Sequence, residues 1–160
     1  MSRSRLISLA ILLLPQGSAD AANRLTNIPS EHQVILKEDW LPTREQTQRA
    51  LGQIQKYLEH PRKGYRSDPN SMQAIREIFS HPTEYHVQFI GRYPKRGRKA
   101  IFCNFLTLDS PREIAVSRKE WFWATDGGSD FWHIWYEPDK DECSGFTPNP
   151  CCPHIRKSTR

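Results

Sequence analysis

One segment constrains this fold more than any other: Trp121-Phe122-Trp123-Ala124-Thr125-Asp126-Gly127-Gly128-Ser129-Asp130-Phe131-Trp132-His133-Ile134-Trp135-Tyr136. Four of the chain's five tryptophans fall within it, so a large aromatic surface must be buried or used by one short stretch. Aromatic and β-branched residues on both sides of Asp-Gly-Gly signal a β-hairpin, because glycines readily take the positive φ of a tight turn. With Gly127 and Gly128 as the central turn residues, Trp123 faces Trp132 and Trp121 faces Ile134 on one side of the ribbon. Phe122 faces His133 and Glu120 faces Trp135 on the other. The first set reads as core. The second mixes rings with polar atoms that are costly to bury, and Phe122, Phe131, His133 and Trp135 are its candidate ligand-binding residues. A leading arm or a tail lying over that face is the competing reading. A slip of one residue on either strand would exchange its inward and outward side chains.

The rest of the chain reads as helices followed by strands. Thr43 with Gln46 three residues on forms a capping box, and Leu51, Ile54 and Leu58 recur at helical spacing up to His60-Pro61. Asp68-Pro69 opens a second helix with Met72, Ile75, Ile78 and Phe79 on one side, ended by His81-Pro82. From Glu84 the period becomes two: Tyr85, Val87 and Phe89 alternate with His86, Gln88 and Ile90. Residues 94–97 turn the chain, and 99–107 return as a second strand. Asp109-Ser110-Pro111 breaks it, a third strand is expected over 114–125, and a fourth over 131–137. Val34-Ile35-Leu36 reads as a short edge strand or a clamp on the core, and everything past Gly145 as irregular. The expected fold is α+β, with two N-terminal helices packed on one face of a four-stranded antiparallel meander.

That order, together with Gln88-Phe89-Ile90-Gly91 beside the first hairpin, resembles the cystatin-like group and its nuclear-transport-factor-like relatives. Cystatins carry Gln-x-Val-x-Gly there and a Pro-Trp on the second hairpin. Here the segment is one residue shorter, lacks the valine, and Asp126-Gly127-Gly128 stands where Pro-Trp would. The resemblance implies a fold and not protease inhibition. A second likeness, to secreted microbial guanyl-specific ribonucleases, implies Glu84 as a base, Arg98 as the arginine on the next strand and an acid histidine in a late turn; that turn, 125–131, has none here, and His133 is the nearest. Such chemistry needs acid and base within reach of one phosphate.

The N-terminus sets the compartment. Met1-Ser2-Arg3-Ser4-Arg5 precedes an apolar run over 6–14 and then Ala19-Asp20-Ala21, the layout of a signal peptide over residues 1–21. The run is shorter than the roughly 20 residues that span a bilayer. Export to a periplasm or to the outside follows as the expectation. Residues 22–41 form a leading arm, 42–146 a single domain, and 147–160 an irregular, basic, cysteine-containing tail. The net charge of +5 becomes +4 once Arg3, Arg5 and Asp20 are removed, an ordinary excess for a small domain. The basic knot over 95–99 reads as a solvated hairpin tip, so nucleic acid is not an expected partner, and no transmembrane segment is expected in the mature chain.

Four cysteines in an exported chain suggest disulfides. Cys103 with Cys143 is the preferred pairing, a buried thiol at Cys103 the alternative. Cys151 and Cys152 are left to each other or to another chain. Cys143, Cys151, Cys152 and His154 lack the spacing of a zinc site, and no metal or cofactor is expected. Without a nucleophile elbow, phosphate loop or zinc-helix motif, the leading expectation is an exported, non-enzymatic domain binding a protein or small ligand through the aromatic face. A ribonuclease-like hydrolase using Glu84 and His133, and an envelope component cross-linked through the tail cysteines, are the alternatives.

Overall fold

The computed structural model describes residues 24–95, 97–123 and 128–149. The expected signal peptide, the central Gly127 of the expected turn, and Cys151, Cys152 and His154 lie outside the described residues.

Strand β1 (Gln33–Leu36) leads into helix α1 (Arg44–Glu59), a single helical turn at Lys63–Arg66, and helix α2 (Pro69–Ser80). Strands β2 (Tyr85–Lys95) and β3 (Arg98–Thr107), helix α3 (Pro111–Ser117), and strands β4 (Gly128–Glu137) and β5 (Glu142–Asn149) follow. They make one sheet in the order β1-β2-β3-β4-β5. β1 runs parallel to β2, and the remaining neighbours are antiparallel.

The four-stranded antiparallel meander is therefore replaced by a five-stranded mixed sheet with three helices. Three local causes account for the difference. β1 is a true strand, and because it is parallel to β2 the connection must cross over the sheet; α1 and α2 are that crossover. Residues 111–117 are helix instead of strand. Ser110 is the N-cap, its hydroxyl accepting from Glu113 N–H at 3.1 Å, with Pro111 opening the helix, the same grammar by which Asp68 and Pro69 start α2. The region past Gly145 pairs with β4 as β5, with register shifts between Gly128 and Trp132 and between His133 and Trp135. At the start of α1 the expected capping box is present, with Thr43 Oγ1 accepting from Gln46 N–H at 3.2 Å and Gln46 Oε1 from Thr43 N–H at 2.9 Å.

The core lies between the helices and one face of the sheet. Leu51, Ile54 and Leu58 of α1 and Ile75 and Ile78 of α2 pack onto Val87, Phe89, Ile101, Cys103, Phe105, Trp132 and Ile134. Trp132 stacks on Phe105 with centroids 3.7 Å apart and planes 6° from parallel. Asp141, at φ 55° in the β4–β5 turn, ties this layer to α1: its carboxylate accepts from Tyr136 Oη at 2.6 Å and from Gln53 and Arg49.

Cys103 and Cys143 are both free and buried, not joined as expected. Cys103 is on β3 and Cys143 on β5, with β4 between them. Two strand spacings, roughly 9–10 Å, exceed the Cα separation that a disulfide bridges. Burial raises both thiols, Cys143 to about 12 with Asp141 adding to the effect, which leaves them protonated packing groups.

Candidate functional site

The other face of the sheet is built by the alternate residues of the same strands. The register sets Gln88 opposite Asn104 and Ile90 opposite Phe102 between β2 and β3. It sets Phe102 opposite Trp135, Asn104 opposite His133 and Leu106 opposite Phe131 between β3 and β4. Among the described residues this face carries no long helix, and what lies on it is the stretch from α3 to Trp123 and, at one edge, His32, stacked on His86 at 4.1 Å.

A buried amide pair fixes that stretch. Gln88, 1% exposed, donates from Nε2 to the carbonyls of Ser117 and Glu120 at 2.7 and 2.8 Å. Its Oε1 accepts from Phe122 N–H at 3.1 Å and from Asn104 Nδ2 at 3.0 Å. Asn104 also donates to the Phe122 carbonyl at 2.8 Å. Residues 117–122 are thus strapped to the sheet through their backbone, and their side chains are left for other contacts.

The aromatic ones are Trp121 and Phe122, with Trp123 next in the chain. The hairpin register expected from the sequence put Trp121 and Trp123 in the core opposite Ile134 and Trp132. Instead Trp132 and Ile134 are core, while Trp121 and Trp123 lie on the opposite face, 40% and 56% exposed. The reason is that β4 pairs with β3 and β5, so residues 121–123 are not its hairpin partner. Phe102 forms the buried floor of an aromatic group. Trp121, His133 and Trp135 surround it at centroid distances of 5.5, 4.9 and 4.9 Å. Trp123 completes the group against Trp121 at 5.7 Å and His133 at 6.0 Å. The Arg92 guanidinium sits 5.4 Å from the Trp121 ring centre, within cation–π range.

All four residues expected to bind ligand are on this face. Phe122 and Phe131 stack at 6.4 Å, and His133 and Trp135 flank Phe102. Burial holds the His133 imidazole below its ordinary value, so it is neutral at pH 7. Trp121 and Trp123 read as core in the sequence, and Phe102 and Arg92 were not singled out there. For Phe102 the signal was available, because it shares the parity of Asn104 along β3.

Beside Trp135 the face opens into a pocket of about 290 Å³ lined by Pro94, Arg98, Ala100, Trp135, Glu137 and Ser144. Arg98 and Glu137 form an ion pair across it, and Lys140 reaches the other Glu137 oxygen at 3.3 Å. Hydrogen bonding from Arg98, with Lys140 adding to it, keeps the Glu137 carboxyl below the usual carboxylate range. Gly145, at φ 65°, gives Trp135 its place: a Cβ there would stand 3.2 Å from Trp135 Cδ1.

The residues of the ribonuclease-like expectation are not brought together. Glu84 ends a turn just before β2, and Arg98 begins β3. The first and last pairs of that hairpin are Tyr85 with Thr107 and Lys95 with Arg98, so about ten residue steps, roughly 30 Å, separate Glu84 from Arg98. His133 lies between them, two strands from β2. Gln88 to Gly91 are interior to β2, where Asp39 N–H donates to the Gly91 carbonyl at 3.0 Å. Among the described residues no group of three metal-ligating side chains converges, and no helix is long and apolar enough to cross a membrane.

No protein-family model matches the chain, and no curated protein or solved structure matches it.

Proposed function

We propose that this is an exported binding protein that receives its ligand on the sheet face opposite α1 and α2, around Trp121, Trp123, His133 and Trp135. The observation that carries this reading is the exposure of two adjacent tryptophans, 40% and 56%, on a backbone anchored by buried hydrogen bonds. Large rings left at the surface at the end of a strap forgo the burial available to them in a core. A contiguous patch of this kind, rimmed by polar groups, marks an interaction site. Its fixed backbone reduces the ordering cost of binding. Export rests on the pattern of residues 1–21.

The test is a thermal-shift screen of glycans, peptides and small metabolites, run on the wild type and on Trp121→Ala/Trp123→Ala. Both rings are substantially exposed, so the double variant keeps its fold. A ligand that stabilises the wild type loses its shift in the variant. Ligands whose shifts survive intact in the variant would refute the assignment of this face.

A further inference from the structure

We propose that the pocket formed by Arg98, Trp135, Glu137 and Ser144 holds one sugar ring of a neutral oligosaccharide, the chain of which continues over Trp121 and Trp123. This inference rests on the reading of the aromatic face given above and names its ligand class.

Three observations select the ligand. The first is charge. The pocket carries the Arg98 guanidinium and the Glu137 carboxylate, ion-paired across it, with Lys140 on the other Glu137 oxygen and Glu142 acting on Arg98, two positive charges against two negative. An anion would meet Glu137 and a cation would meet Arg98, so neither gains a net complementary charge. A neutral polyol meets no repulsion. Its hydroxyls both donate and accept, and they match an acceptor carboxylate, a fork of guanidinium donors and the Ser144 hydroxyl.

The second is shape. A pyranose has an apolar C–H face and a rim of hydroxyls. The Trp135 indole supplies a flat apolar wall to the same pocket that holds the charged pair. That wall is positioned from two sides: Phe102 packs against it at 4.9 Å with planes 62° apart, and Gly145 admits its edge where any Cβ would crowd Cδ1. A fixed ring offers contact area with little entropy left to lose.

The third is continuity. Ala100, in the pocket floor, pairs with Arg92 across the β2–β3 ladder, and Arg92 lies over Trp121. Trp121 in turn meets Trp123. The polar pocket and the exposed tryptophans are therefore neighbouring stations on one face, which suits a chain of rings better than a single compact metabolite. The neutral His133 beside Trp123 adds a hydrogen-bonding group without adding charge.

The experiment titrates the purified full chain with cellohexaose and with chitohexaose, followed by tryptophan fluorescence and calorimetry. Choline chloride and inorganic phosphate serve as cationic and anionic probes. Wild type, Trp135→Ala and Glu137→Gln are compared. At least one hexasaccharide is expected to bind the wild type, and Glu137→Gln to weaken it about tenfold, the loss of one charge-assisted hydrogen bond. Trp135→Ala should weaken it further. Glu137→Gln keeps the side chain's shape at a partly exposed site, so the test stands even if Trp135→Ala does not fold. Binding of choline or phosphate without either sugar, no sugar binding up to the solubility limit, or sugar binding that both variants retain would each overturn the inference. A peptide or nucleotide found in the earlier screen, with a shift that depends on Trp121 and Trp123, would leave the aromatic face standing while the carbohydrate inference falls.

Discussion

Replacing Gln88 by leucine tests the physical basis of the binding face, because one buried amide carries the strap that presents the tryptophans. Leucine is apolar and of similar volume, branched one atom nearer the backbone, so it occupies most of the space without offering a donor or an acceptor. Four hydrogen bonds disappear, to Ser117 O, Glu120 O, Phe122 N–H and Asn104 Nδ2. Each contributes about 1 kcal/mol net. Asn104 keeps its bond to the Phe122 carbonyl, and the added apolar surface offsets part of the loss, so the expected cost is about 2–4 kcal/mol. For a domain of this size that corresponds to a fall in Tm of roughly 10 °C. The strap should also loosen while the sheet persists. Circular dichroism would then retain the strand signal before melting, and tryptophan emission would shift to the red as Trp121 leaves Phe102. Urea titration with both probes measures each effect. A Tm within about 2 °C of the wild type, with unchanged emission, would refute the claim that Gln88 holds residues 117–122 in place.

Gly91→Ala places a Cβ against the Trp40 backbone carbonyl and should cost about 1–3 kcal/mol in urea unfolding. Gly145→Ala forces alanine to φ 65° and crowds Trp135; a loss of about 1–2 kcal/mol should accompany a shift of the Trp135 indole signal in NMR. Burial lowers the pKa of His86, with His32 and Arg118 adding to the effect, and burial lowers that of His133. Below about pH 6.5, the unfolded imidazole value, the unfolded state takes up these protons before the folded one does. Stability should therefore fall as the pH drops from 6.5 toward the folded-state values, and His86→Gln should flatten part of that slope in Tm recorded against pH. His86 stacks on His32 at 4.1 Å, so a Tm that does not change across this window would contradict the account.

What was legible in the sequence was local. Thr43 with Gln46, and Asp68 with Pro69, fix the starts of α1 and α2 because capping is a contact within four residues. The period of two over 85–90 and 99–107 marks β2 and β3 for the same reason. Ser110-Pro111-Arg112-Glu113 carried an equally clear helix start, masked by the strand-like Ile114-Ala115-Val116 after it. Which strands pair is not local. The aromatic run was read as one hairpin because its halves are adjacent in sequence, whereas β4 takes β3 and β5 as neighbours and leaves 121–123 to cross the face. The same long-range pairing separates Cys103 from Cys143 and moves Trp121 and Trp123 out of the core. Gln88 reads as a strand residue alternating with the apolar ones, and nothing in its neighbours indicates that it is buried beneath residues 117–122.

The central claim is that the aromatic face opposite α1 and α2 is a site and not a second core. It is tested most directly by following the five tryptophan indole N–H signals in a ¹H–¹⁵N spectrum while a hexasaccharide is titrated. The account predicts that Trp121, Trp123 and Trp135 move together and saturate at one concentration, while Trp132, buried between sheet and helices, and Trp40, donating to the Arg92 carbonyl at 3.1 Å, stay in place. Movement of Trp132 with Trp121, Trp123 and Trp135 unmoved would contradict it.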